Sequence, residues 1–279
     1  MIPTKTPDEI AIMRVGGAKI SVILGQLLDK AQPGVALLDI EALADQLIRQ
    51  SGGEASFRTV KGYKWATCLC VNDVVVHGIP TKYVLKDGDI LTIDVGLLYQ
   101  GFHTDTAWTK LVESEKWKVK SGKQEDRDHL GGGRLQRSGS HDSCEVEAFL
   151  RVGQEALSQA IAQARAGNRV GHISQAVQKI VEGAGYGIVK TLVGHGVGQE
   201  LHEAPQIPGF VKVPVESTPE LIPGTTLAIE VIYARGRGAV VYINDDGWSI
   251  GTRDGSLASV FEHTIVITTG EPQILTQAP

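Results

Sequence analysis

The chain has 279 residues, enough for one large domain or two small ones, and 42 % of them are hydrophobic. Lys and Arg number 27 against 32 Asp and Glu, and the resulting net charge of -5 gives no basis for a general affinity for nucleic acid or acidic membranes. Three cysteines (Cys68, Cys70, Cys144) form no C-x-x-C pair, no run of about 18 apolar residues suggests a transmembrane helix, and the polar start MIPTKTPDEI lacks the apolar core of a signal peptide. The expectation is a reduced, cytoplasmic protein.

In chain order, the first helix starts at Pro7, with Thr6 and Glu9 as a T-x-x-E capping box, and stops at Pro33-Gly34. A second helix covers DIEALADQLIRQ and ends at Gly52-Gly53. The run LTIDVGLLY (91–99) then reads as a buried strand, yet it contains Asp94, and a buried carboxylate costs several kcal/mol unless something pairs with it. A hairpin is predicted near Tyr99-Gln100-Gly101. A turn centred between Tyr99 and Gln100 sets Asp94 directly against Asp105, two like charges on one face. After the charged, Gly/Ser-rich stretch 116–144 come EVEAFLRVGQEALSQAIAQARAG and HISQAVQKIVEGAG, again a long helix, a Gly break and a shorter helix.

This repetition holds at the level of residues. Setting Ala31 on Ala164 brings Gly34 onto Gly167, Ile40 onto Ile173 and Gly52 onto Gly185. DGDILTIDV (87–95) matches PGTTLAIEV (223–231), with Asp94 on Glu230, and VHGI (76–79) echoes GHGV (194–197), with His77 on His195. The expectation is an α+β chain of two pseudo-twofold halves, about 1–115 and 145–279, sharing one core in a single domain. Asp94 and Glu230 then converge, and facing buried acids call for a cation between them. Glu262, in SVFEHTIVITTG, falls beside the Glu230 strand, roughly where Asp105 falls in the first half. His77, His195 and His202 come from the histidine blocks with matching context. His103 and His263 neighbour proposed ligands and can support them, whereas His129, His141 and His172 have no such context. Four carboxylates with one imidazole form a hard, oxygen-rich site suited to Mn(II), Fe(II), Co(II) or Zn(II), and the count suits two bridged ions and hydrolysis.

These blocks, VHGIP (76–80), DGDILTIDVG (87–96), GFHTDT (101–106), GHGVGQELHEAP (194–205), GWSIGTRDGSLASVFEHT (247–264) and the Glu230 strand, resemble the type I methionine aminopeptidases. That family has the pita-bread fold shared with prolidase and aminopeptidase P, with helices covering a curved, mainly antiparallel sheet. The resemblance implies two divalent ions per chain held by Asp94, Asp105, His195, Glu230 and Glu262. Asp105 and Glu262 would bridge the ions, Asp94 would chelate one, and His195 and Glu230 would bind the other. It further implies co-translational removal of the N-terminal methionine ahead of a small second residue, through a metal-bridged water. Glu230 would shuttle the proton, His202 would hydrogen-bond the scissile amide or developing oxyanion, and His77 would contact the substrate. The methionine pocket falls on Tyr63, Cys68, Leu201 and Trp248.

Three departures stand out. Val231 replaces a proline usual after the Glu230 position, and Leu201 stands where the family often has Phe; both bear on substrate range. The 116–144 insertion carries seven Lys/Arg against three Asp/Glu between Lys116 and His141, and it is a candidate contact with ribosomal RNA. Two other readings are an Xaa-Pro peptidase of the same fold and a non-catalytic binding relative. VHGIP and FEHT favour methionine, and a binding relative would have lost ligands. A monomer is expected.

Overall fold

A computed structural model describes residues 2–113 and 143–277. The 116–144 insertion, with its expected RNA contact, lies outside them except for Ser143 and Cys144, which open a helix. Four long helices are present among the described residues: α1 (Pro7–Lys30), α2 (Leu37–Gln50), α3 (Ser143–Gln163) and α4 (Val170–Gly183). The capping box forms, with Glu9 N–H donating to Thr6 Oγ1 at 3.3 Å and Thr6 N–H to Glu9 Oε2 at 2.7 Å. By length and composition alone α1 is apolar enough to cross a membrane. Its Met13, Ile20, Ile23, Leu24 and Leu27 are instead buried, as in a helix laid on a sheet.

The two halves repeat each other hydrogen bond by hydrogen bond. Gly34 N–H donates to Leu85 O at 2.8 Å, and Gly167 N–H to Leu221 O at 3.0 Å. Gly88 N–H reaches Val112 O at 2.9 Å, and Gly224 N–H reaches Ile267 O at 2.9 Å. Single β-bridges join Ala36 to Val84 and Arg169 to Glu220. Gly88 and Gly224 adopt φ +91° and +87°, the left-handed turn that favours glycine.

At the centre, four antiparallel strands lie side by side. In order they are Ile90–Tyr99 (the Asp94 strand), Phe102–Leu111 (the Asp105 strand), Ala258–Val266 (the Glu262 strand) and Thr226–Ala234 (the Glu230 strand). Thr67–Val71 flanks the Asp94 strand and Val193–Gly196 flanks the Glu230 strand, so the order is itself symmetric. Strand period two sorts the side chains. Leu91, Ile93, Val95 and Leu97 join the α1–α2 core, while Leu227, Ile229, Val231 and Tyr233 join the α3–α4 core. The acids between them therefore face the other side. The buried side chains form separate clusters under the two halves rather than one shared core, and Trp108 touches both.

The hairpin register differs from the sequence expectation. Gln100 and Gly101 form a two-residue turn with φ +49° and +86°, so Tyr99 pairs with Phe102, Asp94 with Ala107, and Asp105 with Gly96. The slip is two residues, an even number, so both acids still share a face. The same registers pair Ala107 with Glu262 and Asp94 with Ala107 on one side, and Glu262 with Glu230 on the other. Glu262 is thus the counterpart of Ala107, not of Asp105. His195 likewise pairs with Ala228 as Cys70 pairs with Thr92, which makes Cys70 its counterpart rather than His77.

Two threonines sew the halves together where the ladder between them is short. The Thr264 hydroxyl accepts Asp105 N–H and donates to Asp105 O, both at 2.8 Å. Thr109 does the same to Val260, at 3.0 and 2.8 Å. Replacing either by valine strands a buried N–H and C=O, so each of T109V and T264V is expected to lose about 1–3 kcal/mol in urea unfolding. A loss below about 0.5 kcal/mol would show that the hydroxyls do not carry the seam.

Candidate metal centre

Across the seam the strands place Cys68, Asp94, Ala107, Glu262 and Glu230 in one row, through successive cross-strand pairs. Asp105 lies diagonally beside it and His195 closes it from the neighbouring strand. Ligand atoms of Asp105, His195 and Glu262 lie within 4.8 Å of one another, and all three residues are buried. The five proposed ligands also line one cavity of about 160 Å³ with His77, His202, Tyr63, Cys68, Leu201 and Trp248. Every residue assigned from the sequence to the metal, the reaction or the methionine pocket therefore borders the same space, whereas His103 and His263 do not line it. Phe57, Val60 and Val76 line it too, and nothing in SFRTV or VVV distinguishes them from ordinary core residues in the sequence.

The electrostatics of the four acids call for a compensating cation. Burial, then the Asp105 and Glu230 carboxylates, push Asp94 well above the usual range. Burial, then the Asp105, Glu230 and Asp94 charges, do the same to Glu262. Burial pushes Asp105 up to about 7, against a hydrogen bond from Thr106 N–H at 3.0 Å. Burial and then Asp105 push Glu230 up to about 8. Asp94 Oδ1 is buried with no hydrogen-bond partner among the described residues. An orphaned buried carboxylate oxygen amid three other acids fits a divalent cation.

His195 is prepared in the complementary way. Its Nδ1 lies 2.9 Å from Gly196 O, and since a carbonyl only accepts, Nδ1 carries the proton and Nε2 keeps a free lone pair. Burial, and then His202, lower its pKa to about 4, so the ring is neutral at physiological pH. His202 sits with its ring centroid 4.4 Å from that of His195, and burial lowers its pKa too. His77 follows strand Val74–Val76 in the left-handed region at φ +57°, a conformation histidine tolerates better than most residues. Burial, then His202, lower its pKa as well. His103 and His263 bond instead to Ser56 Oγ at 2.9 Å and Thr276 Oγ1 at 3.0 Å.

Beside the acids the cavity becomes apolar. Phe57, Tyr63, Cys68 and Leu201 form a buried cluster, with Trp248 packed against it. Tyr63 meets Trp248 edge to face at 5.1 Å and donates its hydroxyl to Thr67 O at 2.8 Å. Asp246 accepts Trp248 N–H at 2.7 Å and Ser249 N–H at 2.8 Å, which fixes the turn that presents the indole. Leu201 borders the cavity, so that departure touches whatever fills it. Val231 is buried on the helix side and does not.

Residues 11–269 match the model of metallopeptidase family M24. Methionine aminopeptidase 1 of Bacillus subtilis is 36 % identical over 277 residues, covering 99 % of this chain and 100 % of the relative. A crystal structure of a methionine aminopeptidase from Thermotoga maritima superposes with a TM-score of 0.86 at 37 % identity, covering 99 % of this chain and 100 % of that one. A prolidase from Pyrococcus furiosus shares the fold, with a TM-score of 0.70 at 19 % identity; 99 % of this chain matches 66 % of that longer one.

The raised carboxylates imply a pH signature for protein stripped of metal. Carboxylates raised in the folded state make it hold more protons than the unfolded chain, so stability falls as pH rises to the folded values of about 7 and 8. Histidines lowered to about 4 act oppositely, but only below their unfolded value near 6.5. Between about pH 7 and 8 the histidine contribution fades and the carboxylates dominate. The melting temperature of metal-stripped protein should fall across that window, and saturating Mn(II) should remove the slope. A flat profile without metal would contradict the described electrostatics.

Proposed function

Because the chain belongs to metallopeptidase family M24, we propose that the site described above is that of a methionyl aminopeptidase, which removes the N-terminal methionine from peptides and nascent chains with a small second residue. The observation that carries the reading is the adjacency of the acids to the apolar pocket: Cys68 belongs to the pocket cluster and pairs across the ladder with Asp94. A thioether seated among Phe57, Tyr63, Cys68 and Trp248 brings the first peptide bond to the carboxylates.

Asp94, Asp105, His195, Glu230 and Glu262 would hold two divalent ions, Mn, Fe, Co or Zn. Such ions supply Lewis acidity to the scissile carbonyl and a water that ionises near neutral pH. The chain's own groups do the rest. Glu230 takes the proton of the attacking water and delivers it to the leaving amine. His202, at the cavity mouth, donates a hydrogen bond to the carbonyl oxygen as charge develops there. His77 contacts the substrate near its scissile residue. Tyr63 and Trp248 hold the methionine side chain, and Leu201 shapes the pocket.

The reading includes a cytoplasmic monomer whose 116–144 insertion contacts ribosomal RNA. Unchanged low-salt ribosome co-sedimentation after deletion of 118–141 would remove that contact. The Xaa-Pro alternative rests only on a shared fold.

The deciding assay is methionine release from Met-Ala-Ser by metal-stripped protein, with Mn(II), Co(II), Fe(II) or Zn(II) added back in turn. Release restored by metal, with Ala-Pro left intact, is the expected result. H202A should then lower kcat by about 100-fold or more with the pocket intact. Cleavage of Ala-Pro in preference to Met-Ala-Ser would overturn the assignment.

A further inference from the structure

Lys5 lies in the segment before α1, and its side chain is only 4 % exposed. Its Nζ donates to Glu203 Oε2, an ion pair between residues 198 positions apart in sequence. Glu203 is itself nearly buried, and its other oxygen, Oε1, accepts Glu200 N–H at 3.2 Å. Lys5 is held in turn by its backbone N–H, which donates to Gly224 O at 2.8 Å. A Cβ on residue 198 would fall inside the Lys5 side chain, so glycine there keeps the lysine's path open. Gly198 N–H donates to Glu200 O at 3.0 Å, and Gly198 O accepts His103 N–H at 2.7 Å. The 198–203 turn is therefore tied to the Asp105 strand on one side and to the N-terminal arm on the other.

His202 stands on this turn, next to Glu203. Its side chain is exposed at the cavity mouth, and its ring has no hydrogen bond among the described residues. Ring contact with His195 alone does not fix it, so its placement is set by the backbone beneath. A buried ion pair is a poor source of stability, because desolvating both charges offsets most of their attraction. It is a good positional tie, since neither partner can leave without stranding the other.

We propose that Lys5 is a positioning residue for the reaction: through Glu203 it holds the 200–203 turn, and so sets where the His202 imidazole stands relative to the scissile amide. This rests on the aminopeptidase reading above.

The test uses full-length, metal-loaded protein carrying Lys5→Met, Lys5→Arg, His202→Ala, the pair Lys5→Met/Glu203→Gln, and Lys5→Met combined with His202→Ala. Lys5→Met should lower kcat on Met-Ala-Ser about 10- to 100-fold with KM within about threefold, the scale expected of a misplaced group. Lys5→Arg should recover part of kcat. Lys5→Met/Glu203→Gln strands no charge, and it should recover melting temperature without recovering kcat. In the His202→Ala background Lys5→Met should cost less than about twofold, because the group it positions is gone. Recovery of kcat together with melting temperature, or the full Lys5→Met penalty without His202, would overturn the proposal. In the diamagnetic Zn(II)-loaded protein, the imidazole NMR signals of His202 give a readout independent of turnover. They should move or broaden in both Lys5→Met proteins and persist in Lys5→Arg, and unchanged signals would overturn it equally. A wild-type protein that released no methionine would defeat the aminopeptidase reading, while these spectra would still decide the role of Lys5.

Discussion

Burial of four acids side by side on adjacent strands is the constraint around which this molecule is built. Asp94, Asp105, Glu230 and Glu262 share one face of a sheet whose other face is sealed by helices. They cannot be solvated from behind, nor can all ionise together without a compensating charge. The rest of the fold makes this arrangement tolerable. Apolar residues alternating with the acids bind each half to its helices, and the paired threonines hold the halves together where backbone hydrogen bonding is short.

Much of this was legible in the sequence, for identifiable reasons. The T-x-x-E box and Pro7 mark the start of α1 because a capping box is local. The acids stand out because a carboxylate in a β-branched run has no bland explanation. Their common face survived a wrong register because the error was even: a two-residue turn with both residues left-handed replaced the expected one. The duplication was visible through its glycines, which mark turns that other side chains enter only under strain. Its finer correspondences were not, since they depend on ladder register. Ala107 gave no signal as the partner of Glu262, nor Cys70 as that of His195. Phe57, Val60 and Val76 read as plain core residues, and nothing local announces an ion pair between Lys5 and Glu203. Contacts that close over long separations leave the weakest trace in a single sequence.

The two departures near the site separate cleanly in space. Val231 follows Glu230, yet strand alternation turns its side chain into the α3–α4 core, away from the cavity. It restores an N–H to a strand paired residue by residue with its neighbour. Leu201 faces the cavity and packs with Tyr63 and Cys68. Of the two departures, only Leu201 is placed to touch what fills the cavity.

Ala107 has a larger meaning than its size suggests. It occupies the position that the second half fills with Glu262, and the two face each other across the pseudo-twofold seam. His195 against Cys70, Asp105 against Val260 and Glu262 against Ala107 all break the equivalence of the halves, so a peptide crossing the sheet meets different groups on its two sides. Histidines crowd one end of the cavity and aromatic and sulfur side chains the other, so the site has a head and a tail. A polypeptide also has a direction, from amine to carboxylate. A duplicated fold can read that direction only where its two copies have stopped being the same.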